Sequence, residues 1–207
     1  MSPRAAGWTG MGLVLALALS SAAGAAGDPR AQLDRALRTT RDAGTTFRQV
    51  RTDALGTTET SGRLEYRKPR QVRLEWLGVA AATAIVRGDT VWFYQPSQKS
   101  ILKSSAAAGG APPALFLDES VAVLERTYRV EARGAETLVL TPRTERSPWS
   151  RVTLTLDLQT GWPRRLVLAA TDGSSTRLDF GRFRVNRGIA AARFAPRFPP
   201  GTPVIDL

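Results

Sequence analysis

Neither cysteine nor histidine occurs anywhere in the 207 residues, and there are only two methionines. Without cysteine there can be no disulfide, no thiolate nucleophile and no thiolate metal site; without histidine the common zinc sites and the Ser-His systems lose a required part. Acidic residues are scarce as well, 18 Asp and Glu against 29 Lys and Arg, and they form no close carboxylate cluster. A glycosidase-like pair could be drawn from Glu65 and Glu75, but strand alternation turns both to the polar side, where ion pairs with arginine are the ordinary expectation. The Gly109-Gly110 pair does not sit between a strand and a helix as a phosphate loop would. The expectation is a protein without enzymatic activity, cofactor or metal.

The formal charge is +11, or +10 once Arg4 is set aside with the leader described below, and nearly all of it is arginine. Such a balance suits nucleic acid, an anionic membrane surface or acidic partners. The arginines are nevertheless spread along strands, as in Arg63, Arg67, Arg73, Arg129, Arg133, Arg151, Arg177 and Arg184, with no dense arm or recognition helix. A solvated outer sheet face is expected, with no nucleic-acid partner, and the charge is expected to help the protein dwell near anionic lipids.

Long apolar runs are limited to one. Arg4 precedes an apolar stretch from Met11 to Leu19, followed by the small-residue run Ser20 to Ala26. This reads as a secretory signal cleaved near Ala25 or Ala26, since a spanning helix needs about 20 apolar residues. Residues 27–207 are then one domain, exported, soluble after processing and monomeric, and about 180 residues suffice for a substantial core without disulfides. With no cysteine, the chain cannot carry a lipidated N-terminal Cys.

Asp28-Pro29 offers an N-cap and a first-turn proline, and Leu33, Ala36, Leu37 and Thr40 line one face of a helix expected over 29–43. Strands are expected at 45–54, 59–67, 70–77, 83–87, 90–95 and 99–103. Residues 104–112 are too small and flexible for a strand, and 113–126 fit one or two short helices. A second meander follows at 128–132, 137–141, 152–158, 164–170 and 175–185, with a last extended piece at 203–206; Asp172-Gly173 is the clearest hairpin signal. The fold class is mostly β with an α lid (α+β): a curved antiparallel sheet or incomplete barrel of ten or eleven strands, covered by the N-terminal helix and short central helices.

The most informative stretch is GRLEYRKPRQVRLEWLGVAAATAIVRGDTVWFYQP, Gly62 to Pro96. Alternation places Leu64, Tyr66 and Lys68 on one side of their strand and Val72, Leu74 and Trp76 on one side of the next, with arginines and glutamates opposite. An apolar face of that kind must be covered. Its candidate lining is Phe47, Leu64, Tyr66, Val72, Leu74, Trp76, Trp92 and Tyr94 from the sheet, with Leu33, Leu37, Leu115 and Phe116 from helices. Alternation alone leaves open whether this is a packed core or a ligand cavity.

The order of these residues resembles the LolA-type periplasmic lipoprotein carriers: a basic residue before proline, then an alternating aromatic strand and the hairpin Gly88, Trp92, Tyr94, Pro96. Phe47-Arg48-Gln49, Thr141-Pro142, Gly161-x-Pro163 and the C-terminal FAPRFPPGTPVIDL extend the likeness over nearly the whole mature chain. The resemblance implies an unclosed barrel with a helical lid, enclosing a cavity for lipid acyl chains. It implies a Gram-negative periplasmic chaperone whose partners are acylated lipoproteins, an inner-membrane lipoprotein-releasing ABC transporter complex and an outer-membrane lipoprotein acceptor. An alternative within the same likeness is a module for another amphiphile, or an envelope-stress sensing protein. Lys68 matches the position of the family's arginine that hydrogen-bonds to the lid and holds it shut, although an ammonium lacks the planar fork of a guanidinium. Leu74 stands where the family usually has tryptophan.

Overall fold

The computed structural model describes residues 27–105, 120–145 and 147–207. The expected leader 1–26 and the expected lining residues Leu115 and Phe116 lie outside the described residues.

The chain after residue 27 begins with helix α1 (Pro29–Thr39), capped by the Asp28 carboxylate, which accepts from the Arg30 amide at 2.9 Å. Leu33, Ala36 and Leu37 form its buried stripe. The helix stops four residues earlier than expected from the sequence. Thr39 and Thr40 are the reason: their hydroxyls donate to Arg35 O at 2.9 Å and Ala36 O at 2.7 Å, and Thr40 is already extended. These bonds satisfy carbonyls that a helix end leaves without partners. Asp42 and Ala43 then belong to the first strand.

Thirteen strands follow: β1 (Asp42–Asp53), β2 (Gly56–Arg67), β3 (Gln71–Leu77), β4 (Ala82–Arg87), β5 (Thr90–Gln95), β6 (Ser100–Ser105), then helix α2 (Val121–Thr127), and β7 (Tyr128–Arg133), β8 (Thr137–Pro142), β9 (Trp149–Leu156), β10 (Pro163–Ala170), β11 (Ser175–Phe180), β12 (Arg184–Val185) and β13 (Val204–Asp206). They form one sheet in the order β13-β6-β5-β4-β3-β2-β1-β11-β10-β9-β8-β7, with β12 beside β1. β7 and β13 end the row and do not pair, so the sheet is open. Every pairing is antiparallel except β13 on β6. This is the mostly β, incomplete-barrel architecture expected from the sequence, with thirteen strands in place of ten or eleven.

One strand boundary differs from expectation in an instructive way. The single strand expected over 175–185 is broken at Gly181, whose amide donates to Thr46 O at 2.9 Å and whose carbonyl accepts from the Thr45 hydroxyl at 2.9 Å. A side chain there would meet the Thr46 hydroxyl at 2.7 Å, which suits glycine at this close approach. Phe183 then stacks on Trp162, with ring centroids 4.5 Å apart. At the end of the chain, 203–206 docks as a strand: Ile101 N donates to Pro203 O at 2.9 Å, and Lys103 meets Asp206 at 2.8 Å.

The sheet has two apolar faces of unequal size. The concave face carries the main core, sealed by Leu33, Ala36 and Leu37 of α1 and Val121 and Leu124 of α2. The convex face carries a second, smaller cluster under the tail: Ile85, Ile101 and Phe194 are each 3% exposed or less, and Phe194 lies in a turn that packs over β3 and β4.

Candidate functional site

Strand register assembles the concave face of the first half-sheet into three cross-strand rows. Ala43, Tyr66, Val72, Val86 and Val91 make the first; Thr45, Leu64, Leu74, Ala84 and Phe93 the second; Phe47, Gly62, Trp76 and Ala82 the third. Alternation therefore brings Phe47, Leu64, Tyr66, Val72, Leu74 and Trp76 together as expected, and α1 lays Leu33 and Leu37 over the same core. Leu64, Tyr66, Val72 and Leu74 are fully buried.

Trp92 and Tyr94 do not belong to this face. Register pairs Val91 with Val86 and Phe93 with Ala84, so Val91 and Phe93 point inward and Trp92 and Tyr94 point to the convex side. Tyr94 there packs on Phe198 of the tail, 5.4 Å between ring centroids. Phe93, absent from the sequence-based set, takes the inward place. The signal that would have found it is the alternation of β4, in which Ala84 and Val86 oppose the core positions of β3.

The third row ends in an aromatic chain. Phe47 meets Trp76 edge-on at 6.0 Å and 76°, and Trp76 meets Phe93 at 6.0 Å and 74°, an arrangement favoured by ring quadrupoles. Trp76 and Phe93 are only partly buried. The Trp76 indole donates to Gln49 Oε1 at 3.0 Å, giving this greasy edge one polar anchor. Gly62 makes the row possible: a Cβ there would lie 2.2 Å from Glu75 O and 2.4 Å from the Phe47 ring.

Lys68 is half-buried, and its ammonium donates to Leu37 O in the last turn of α1, a carbonyl that also accepts from Thr40 N at 3.4 Å. A cation at a helix C-terminus is favoured by the local dipole. Asn186 Nδ2 donates to the neighbouring Thr39 O at 3.1 Å. Arg67 and Arg70, which the sequence offered as possible helpers, go elsewhere: Arg67 to Ile189 O at 2.6 Å, and Arg70 to Asp89 at 3.0 Å.

Glu65 and Glu75, the acids of the imagined glycosidase pair, are ion-paired on the convex side. Glu65 holds Arg193 at 2.9 Å, which raises the arginine's pKa through that hydrogen bond, and Glu75 accepts from Arg73. Among the described residues no group of three or more His, Cys, Asp or Glu is placed to hold a metal ion, and no helix is long and apolar enough to cross a membrane.

Residues 38–197 match the model of the family "Outer membrane lipoprotein carrier protein LolA". An outer-membrane lipoprotein carrier protein of Chromobacterium violaceum is 27% identical over 197 residues, covering 92% of this chain and 94% of the relative. Another, from Azotobacter vinelandii, is 26% identical over 166 residues, covering 77% and 79%. Among solved structures, an uncharacterized conserved protein from Thermus thermophilus superposes with a TM-score of 0.54 at 14% identity, over 86% of this chain and 97% of that one, a likeness of fold. A family model that takes in most of the chain, on an open sheet of this kind, settles its membership: the chain belongs to the LolA family.

Proposed function

We propose that this chain is a periplasmic carrier that shelters the acyl chains of lipoproteins released from the inner membrane and passes them to an outer-membrane acceptor. The observation that carries the reading is the concave face of an unclosed sheet, apolar from row to row, whose aromatic edge is left partly uncovered at Trp76 and Phe93. Family membership and the names of the curated relatives support it.

The chemistry is sequestration. Burying a methylene is worth about 0.8 kcal/mol, so an acyl chain of ordinary length gains on the order of 10 kcal/mol by leaving water. No bond is made or broken. Leu64, Tyr66, Val72 and Leu74 are buried in one core with Leu33 and Leu37 of α1 in this structure. Entry of a chain therefore requires α1 to give way, starting at the uncovered aromatic edge. Lys68 sets the cost of that movement through its bond to Leu37 O. A carrier must release as well as bind, and an apolar helix that re-covers the empty face competes with its cargo. Loading falls to an inner-membrane ABC transporter complex, and direction to an acceptor of greater affinity.

The test is displacement of an environment-sensitive hydrophobic dye by a diacylated or palmitoylated peptide. Displacement by the acylated peptide and none by its unacylated twin is the expected result. A folded protein that binds neither dye nor acylated peptide overturns the reading.

A further inference from the structure

On the convex side, away from the acyl-chain face, the segment 182–189, which carries β12 along the start of β1, bounds a groove of about 980 Å³. Its floor includes Gly44, Thr46, Arg63 and Glu65 of β1 and β2, and its wall includes Arg182, Phe183, Arg184, Val185, Arg187 and Ile189. Arg63, Arg182, Arg184 and Arg187 are exposed, and among the described residues none of their side chains has an ion pair or hydrogen bond. On neighbouring strands the pattern differs: Arg48 is paired with Glu59, Arg73 with Glu75 and Arg165 with Asp179. The one acid in the groove, Glu65, is already neutralised by Arg193.

The wall is held in place. Asp42, 7% exposed, accepts from Arg187 N at 2.8 Å and Gly188 N at 3.1 Å, and Asn186 Oδ1 accepts from Arg41 N at 2.7 Å. Asn186 itself sits in the left-handed region, φ 54°, a conformation that asparagine tolerates better than most residues. A recessed cleft of this size with a fixed wall is of the kind that binds ligands without reorganising.

We propose that this groove is a docking site for an acidic, extended segment of a partner polypeptide. Four unpaired guanidinium groups call for carboxylates, which they can take in bidentate fashion, while Ile189, whose side chain lies over Gly44, adds an apolar contact for side chains between the acids. A bilayer surface fits less well, because it meets protruding groups and cannot fill a recess walled on one side. The inference stands apart from the carrier reading, since dye binding reports on the concave face and this site does not.

The experiment uses a fluorescein-labelled peptide of alternating acidic and apolar residues, followed by anisotropy on the folded full-length mature protein. Arg184→Glu with Arg187→Glu is the test variant, and Arg129→Glu with Arg151→Glu, two exposed arginines outside the groove, is the charge-matched control. Binding that weakens by about tenfold or more in the test variant and by less than about twofold in the control supports the proposal. Equal weakening in both reduces the effect to net charge and overturns it. So does failure of the wild type to bind the peptide, or a protein that binds phosphatidylglycerol vesicles through Arg184 and Arg187 while ignoring the peptide. Dye binding by both variants should match the wild type, which separates loss of the docking site from loss of the carrier face.

Discussion

The two halves of the sheet share one concave surface and use it differently. In the β7–β11 half the two central inward rows are purely aliphatic, Leu138, Leu154, Leu166 and Leu178 in one and Leu140, Val152 and Leu168 in another, none more than 2% exposed, and its core aromatics Tyr128, Trp149 and Phe180 sit at strand ends. In the β1–β5 half the rows mix aliphatic residues with Tyr66, Phe47, Trp76 and Phe93, and the last two are not fully covered. Branched aliphatic side chains pack to crystal-like density and hold a scaffold. Large aromatics with a polar handle such as the Trp76 indole suit a boundary that must be greasy yet stand near water. The comparison assigns stability to one half and, under the proposed function, ligand entry to the other.

The sharpest way to break that division is a pair of truncations. Leu154→Ala should cost about 2–5 kcal/mol of unfolding free energy, read from the urea midpoint, with acylated-peptide affinity unchanged for the folded fraction. Trp76→Ala should cost less stability and weaken the acylated peptide. If Leu154→Ala alters affinity and Trp76→Ala does not, the division of labour is wrong. Next in size is Gly62→Ala, whose new methyl collides with the Glu75 carbonyl and the Phe47 ring. About 1–3 kcal/mol of destabilisation is expected, together with a changed near-UV circular dichroism signal from the disturbed aromatic row.

Lys68→Met removes a cation from the end of α1 and should cost about 1–2 kcal/mol while raising dye binding, because the helix lifts more readily. Lys68→Arg should restore most of both. The smallest effect is with pH. The Thr160 amide holds the Asp157 carboxyl below its ordinary range, and the Ser174 hydroxyl does the same for Asp172; both sit in turns of the aliphatic half. Depressed carboxylates contribute stability that is present above their unfolded pKa and is lost as pH falls through the folded one. The thermal midpoint should therefore be flat from about pH 5 to 8, where no histidine titrates, and decline below about pH 4, with the β9–β10 and β10–β11 turns exchanging amide protons first.

Much of this was legible in the sequence because β2 and β3 alternate cleanly: Leu64, Tyr66, Val72 and Leu74 are apolar where their neighbours are charged, and period two has one solution. β5 was not legible in the same way. In Thr-Val-Trp-Phe-Tyr-Gln both faces are apolar, so periodicity allows either set inward, and the larger aromatics Trp92 and Tyr94 attract the assignment. Only register against β4, and the tail that covers the convex side with Phe194 and Phe198, decides for Val91 and Phe93. The break at Gly181 was hidden for a related reason: its cause is the close approach of Thr45 and Thr46, residues more than 130 positions away. The arginine groove escaped because its walls come from opposite ends of the chain.

The central claim is that acyl chains occupy the concave face beside Trp76. Protein labelled with 5-fluorotryptophan and mixed with a peptide carrying a doxyl spin label in its acyl chain tests this by fluorine NMR. The Trp76 resonance should broaden while that of Trp92, on the opposite face of the same sheet, stays sharp. Broadening of Trp92 with Trp76 unaffected would contradict the account.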